Sequence, residues 1–72
     1  MRVLVNDYYE YGVYEVLFAK VLDDGLVFYC NDGKTTISAV ADSERRTDIL
    51  NTLLINDFCD ITDLSATVDT II

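Results

Sequence analysis

The sequence predicts an α+β fold: a three- to four-stranded antiparallel β-meander packed on one face by an amphipathic α-helix, with a short second helix at the C-terminus. Three observations carry this reading. Two Asp-Gly steps, in Asp23-Asp24-Gly25 and Asn31-Asp32-Gly33, punctuate the first half. That dipeptide favours two-residue hairpin turns, whose central residues need positive φ. The runs around them are rich in β-formers, and beyond Ala41 the apolar period lengthens from two to the helical value. A chain of 72 residues is expected to make one domain, 1–72. It has a thin two-layer core, because a chain this short buries only about 60% of its unfolded surface.

At the N-terminus, Arg2-Val3-Leu4-Val5-Asn6 reads as a strand with Val3 and Val5 on one side and Leu4 on the other. It is placed beside the long second strand through a turn around Asn6 to Tyr11. With Asp24-Gly25 and Asp32-Gly33 as turn centres, Phe28 faces both Val21 and Ile37. One face of the meander then carries Leu17, Ala19, Val21, Leu26, Phe28, Cys30, Thr35, Ile37 and Ala39, and is almost wholly apolar, so it is the expected core face. The other carries Val16, Phe18, Lys20, Leu22, Val27, Tyr29, Thr36 and Ser38, with Phe18, Leu22 and Val27 as an apolar strip.

In the second half Ile49, Leu50, Leu53 and Leu54 form a helical stripe. Asp42 or Ser43 can cap its N-terminus and Glu44 complements the dipole there, so a helix from about Ser43 to Asn56 is expected to lie over the core face. In the tail, Ile61, Leu64, Val68 and Ile71 recur at helical spacing, although Ile, Thr and Val favour strands. The spacing predicts a short helix over 60–72. The closing Ile71-Ile72 pair predicts that the tail is docked, on its own fold or on another copy.

Composition narrows function by exclusion. The chain has no histidine, hence no Ser-His-Asp or Cys-His system and none of the commonest metal ligand. Ten aspartates make carboxylate pairs easy to draw and for that reason unspecific. Asp57, Asp60 and Asp63 recur every third residue but lack the D-x-D-x-D-G pattern of a calcium loop. Cys30 and Cys59 form no C-x-x-C, so zinc is not indicated. No enzyme and no cofactor are expected. No apolar run approaches the roughly 18 residues that span a bilayer, and no signal peptide opens the chain. The expectation is a cytoplasmic protein with two buried, reduced thiols.

The 13 acidic and 5 basic residues give a formal charge of −8. That balance disfavours direct contact with nucleic acid or an anionic membrane and suits a basic protein partner. Solubility alone is the plainer reading of the same charge. Candidate protein-binding residues are the tyrosines of the Asn6–Phe18 stretch (Tyr8, Tyr9, Tyr11 and Tyr14), with Phe18 and Tyr29, and the carboxylates Asp23, Asp24, Glu44 and Asp48. Tyrosine suits interfaces because its ring buries well while its hydroxyl still bonds. An apolar strip left uncovered on a sheet marks an interface.

In overall character the chain resembles the short acidic proteins carried by phages and mobile elements. Some of these inhibit host enzymes or defence complexes, including as DNA mimics. The likeness is of kind, rests on composition, and assigns no site residue; it implies the host cytoplasm as the site of action. Two functions follow as expectations. One is a non-enzymatic, DNA-mimic-like inhibitor of a basic nucleic-acid-binding protein. The other is a structural protein that forms a homodimer through its uncovered sheet face and C-terminal tail.

Overall fold

The structure, a computed structural model, describes residues 1–71. Strands β1 (Arg2–Asn6), β2 (Tyr11–Val21), β3 (Gly25–Cys30) and β4 (Thr35–Val40) precede one helix, α1 (Ser43–Asn56). Two further strands follow, β5 (Phe58–Asp60) and β6 (Ala66–Thr70). All six strands form one sheet in the order β5-β1-β2-β3-β4-β6. Every pairing is antiparallel except that of β5 with β1, which is parallel. The result is a small α+β fold with a mixed, curled sheet and one helix. The expected meander is present as β1 to β4, but the sheet has more strands than the sequence reading allowed.

Among the described residues the expected second helix is absent: the tail supplies β5 and β6. Its β-branched residues prefer extended backbone, and the meander leaves two unpaired edges that a strand can satisfy and a helix cannot. The three residues of β5 cover β1, and β6 covers β4 with Val68 opposite Ile37. The docked tail is thus found on its own fold, where Ile71 N–H donates to the Lys34 carbonyl at 2.9 Å. Ile72 lies outside the described residues.

Of the two turns, the second sets the expected register and the first does not. Phe28 opposes Ile37 as the Asp32-Gly33 turn requires, but it opposes Ala19 rather than Val21. Leu22 N–H donates to Gly25 O, so Asp23-Asp24 is the two-residue loop. Gly25 belongs to β3, where an added Cβ would collide with the Ala39 carbonyl. Its glycine serves close backbone approach rather than a left-handed turn. Only Gly33 adopts the left-handed conformation among the glycines, at φ 75°. Asp32 completes that turn by accepting from the Lys34 and Thr35 amides.

A β-bulge at Leu17 explains the remaining differences. Val16 opposes Cys30 and Phe18 opposes Tyr29, which leaves Leu17 as the extra residue. An inserted residue reverses the facing of everything on one side of it relative to a regular strand. Val16, expected outside, is therefore buried, and Leu17, expected in the core, is exposed. Val21 does lie on the core side but at the open rim, half exposed. The bulge also marks where β2 exchanges partners: residues 11–15 pair with β1 and residues 16–21 with β3. Local twist at such a point curls the sheet.

The helix runs over Ser43–Asn56 as predicted. Asp42 is the cap, its carboxylate accepting from the Arg45 amide at 2.8 Å. Asp57 ends the helix in the left-handed conformation, with φ 57° and its N–H on the Leu53 carbonyl. Ile49 and Leu53 are buried against Phe28, Ile37, Val3 and Ile61, and Leu50 packs at the margin. Leu54, expected in the stripe, is 84% exposed. Each fully buried large apolar side chain stabilises this core by roughly 1.5–3 kcal/mol.

Candidate functional site

The expected binding residues fall into three zones, with one of them elsewhere. The first zone is the tip of the β1–β2 hairpin. Asp7 shapes it: its carboxylate accepts from the Tyr9 and Glu10 amides, both at 2.8 Å, while Asp7 N–H donates to Glu10 O at 2.8 Å. This turn holds Tyr8 and Tyr9 edge to face, ring centroids 4.9 Å apart, with 92% and 90% of their surface exposed. Residues 11–14 of β2 pair only with β1, because β3 ends opposite Val16. β5 reaches only as far as Leu4 of β1, so the tip is carried on a short two-stranded end of the sheet, Val5-Asn6 beside Tyr11-Gly12.

Tyr14 does not join this zone. Its position opposite Val3 puts it on the core side, packed against the buried cluster, with its ring over Gly12. Its hydroxyl donates to the Glu10 carboxylate. Burial, reinforced by that hydrogen bond and by the charge of Glu10, pushes the phenol up to about 12. The regular alternation of a strand separates it from Tyr11, which is exposed on the opposite face.

The second zone is the sheet face away from the helix. Phe18 and Tyr29 stack there at 4.7 Å with an interplanar angle of 19°. Leu22 and Val27 continue the strip, as expected, and among the described residues no element lies over it. The structure adds apolar residues that the sequence reading did not include: Leu17, Val13 and Val40, all more than half exposed. Val13 follows from alternation with Tyr11 and was open to sequence reasoning. Leu17 was not, because nothing in the local sequence announces the bulge. A shallow depression of about 260 Å³ lies between Leu17, Phe18, Tyr29, Thr36 and Ile71.

The third zone is acidic. Asp23 and Asp24 form the β2–β3 turn, and the Asp24 carbonyl accepts from Ala41 N–H at 2.9 Å. This bond ties the turn to the start of α1, where Asp42 and Glu44 lie, with Asp48 one turn further on. The two arginines of the helix are engaged within this zone. Arg45 holds both carboxylate oxygens of Asp63, at 2.8 and 2.9 Å, and Arg46 donates to the Ala41 carbonyl at 2.7 Å. The zone lies at the opposite end of β2 from the tyrosine tip, in a body 33 Å long.

The three aspartates spaced every third residue, Asp57, Asp60 and Asp63, each have a structural partner. Asp57 accepts the N-terminal amino group at 3.2 Å. Asp60 caps the following turn through the Thr62 amide, which holds its carboxyl below the usual range. With Asp63 on Arg45, the three regularly spaced aspartates point to three separate tasks. Among the described residues no group of three His, Cys, Asp or Glu side chains is placed to hold a metal ion. Cys30 and Cys59 are both free and buried, and burial pushes both thiols up, away from the reactive thiolate. No helix among the described residues is long and apolar enough to cross a membrane.

Comparison with protein-family models, curated proteins and solved structures finds no match to this chain.

Proposed function

We propose that this protein is a small acidic protein-binding module without catalytic activity, which docks on the basic surface of a nucleic-acid-binding partner in the manner of a DNA mimic. The observation that carries this reading is the acidic end. Asp23, Asp24, Asp42, Glu44 and Asp48 are all exposed there, while Arg45 and Arg46 are drawn into bonds with Asp63 and Ala41. Carboxylates fixed on a hairpin turn and a capped helix present negative charge in a set arrangement, which steers a basic partner and fixes its register. The exposed Tyr8-Tyr9 tip and the stacked Phe18-Tyr29 pair supply aromatic area of the kind that anchors interfaces.

The test is capture of partners from the native host by the wild-type chain and by the Glu44→Lys/Asp48→Lys double variant. The expected partner carries a basic nucleic-acid site, is displaced from nucleic acid by the wild-type chain, and is lost by the variant. Its affinity falls steeply as salt rises from about 50 to about 500 mM, because the attraction between exposed charges is screened. Affinity indifferent to salt would sink the mimic reading. Folding of the variant is checked by its thermal midpoint, which exposed charge reversals shift by only about 0.5 kcal/mol or less in stability.

A further inference from the structure

The partner exchange at the Leu17 bulge leaves half of β2 with an open edge. β1 pairs with β2 only as far as Glu15, opposite Arg2, and Val16 N–H donates to the Met1 carbonyl. Beyond that point no strand among the described residues lies beside β2 on the side away from β3. The main-chain direction there can be read from the turn. Leu22 N–H donates to Gly25 O, so residues 22, 20 and 18 form hydrogen-bonded pairs with β3. In an antiparallel ladder the intervening residues turn their N–H and C=O outward. Ala19 and Val21 therefore present unpaired backbone to the open side, and among the described residues no other main-chain hydrogen bond reaches either of them.

This edge is flanked by apolar surface that the fold does not use. A groove of about 290 Å³ separates it from the last turns of the helix, between Met1, Ala19, Leu50 and Leu54. Leu54 and Ile55, on those last turns, are 84% and 79% exposed. Unpaired N–H and C=O groups in a row are a template on which another strand can pair.

The geometry points to a second copy of this chain as the occupant, joined antiparallel through residues 17–21 of β2 about a two-fold axis at Ala19. Charge selects the copy. In a chain of formal charge −8, the stretch from Val16 to Leu22 carries no carboxylate and a single cation, Lys20. Two copies can meet over residues 17–21 with no carboxylate inside the paired stretch; the nearest, Glu15 of β2, lies outside it beside Arg2 of β1. Charge also selects the register. Centring on Ala19 sets Phe18 opposite Lys20 of the second copy, a cation beside an aromatic ring. Centring on Lys20 would oppose the two lysines, and centring on Val21 would draw Asp23 into the pairing. An axis at Ala19 perpendicular to the sheet keeps both helices on the same side. The Leu54 side chains, which line the groove beside the edge, then flank the joined edge from both copies, an isologous contact in which the same patch serves both. This dimer differs from one formed through the bare face, and it leaves both acidic ends free.

Three variants read the pairing by light scattering across a concentration series, with amide hydrogen exchange as a second readout. Ala19→Pro removes an N–H that β3 does not use, so the β2–β3 ladder stays intact. It deletes both hydrogen bonds of the central pair and is expected to weaken the dimer about tenfold or more. Phe18→Lys opposes two cations and is expected to weaken it as well. Adding Lys20→Glu to Phe18→Lys restores an attractive pair and is expected to restore the dimer. In the wild type, exchange of the Ala19 and Val21 amides is expected to slow as protein concentration rises. A monomer at every concentration up to the millimolar range overturns the proposal. So does a dimer that Phe18→Lys leaves intact, or one in which those two amides exchange as fast as in the dilute protein.

Discussion

Phe28 and Phe18 sit on neighbouring strands, one on each face of the sheet; the first has no exposed surface and the second is 49% exposed. Phe28 lies between Ala19 and Ile37, in the cluster that Ile49 and Leu53 of the helix close. Phe18 stacks on the ring of Tyr29 and lines two grooves, one of them shared with Leu50 and Leu54 of the helix. The residue type is the same and the strand environment is nearly so. What differs is whether a second layer covers that face. One helix of 14 residues can cover one face of a six-stranded sheet and no more. The apolar content of the other face, with the stacked Phe18-Tyr29 pair, is therefore left exposed.

Substitutions can break this comparison at several levels. On the helix, Leu53 is buried and Leu54, the next residue, is exposed. Leu53→Ala is expected to cost about 2–5 kcal/mol of stability and Leu54→Ala about 0.5 kcal/mol or less, read by urea unfolding of dilute protein. Equal losses would mean that the helix presents a different stripe to the sheet. Gly25→Ala drives a methyl group into the Ala39 carbonyl, and a forced shift of packed backbone is expected to cost about 1–3 kcal/mol. Asp42→Ala removes the helix cap and is expected to cost about 1 kcal/mol, with Asp42→Asn retaining most of it.

The smallest effect belongs to Tyr14 and depends on pH. Its phenol is pushed up from 10.0 to about 12 in the fold, chiefly by burial and then by the Glu10 hydrogen bond. The unfolded chain ionises this group first. Its contribution to stability is therefore fully present below pH 10 and is lost as pH rises through about 12. Thermal midpoints measured from pH 9 upward are expected to fall faster for the wild type than for Tyr14→Phe. Parallel curves would place the ring outside the core margin.

Much of this division was legible in the sequence. The helix bounds, a cap at Asp42 or Ser43 of which the fold uses Asp42, the β1–β2 pairing and the Phe28–Ile37 register all follow from capping chemistry, alternation and the Asp32-Gly33 turn. So does the uncovered strip of Phe18, Leu22 and Val27. The failures have physical causes at named residues. The bulge at Leu17 exchanged the faces of Val16 and Leu17, and a bulge is decided by the curl of the whole sheet rather than by local sequence. Asp24-Gly25 resembled a left-handed turn, yet Gly25 answers to a carbonyl from β4 that is 14 residues away. The tail offered two periods at once, and the unpaired edges of β1 and β4 settled it as strands. Of the candidate binding residues, Tyr14 was misplaced because four tyrosines close in sequence are divided between two faces by strand alternation.

The most direct measurement of the central claim compares Phe28→Ala with Phe18→Ala by equilibrium urea unfolding at low protein concentration. With one face covered by the helix and the other bare, Phe28→Ala is expected to lose about 3–5 kcal/mol and Phe18→Ala about 1 kcal/mol, mostly its stacking on Tyr29. Equal losses from the two substitutions would contradict it, since both faces would then be equally enclosed.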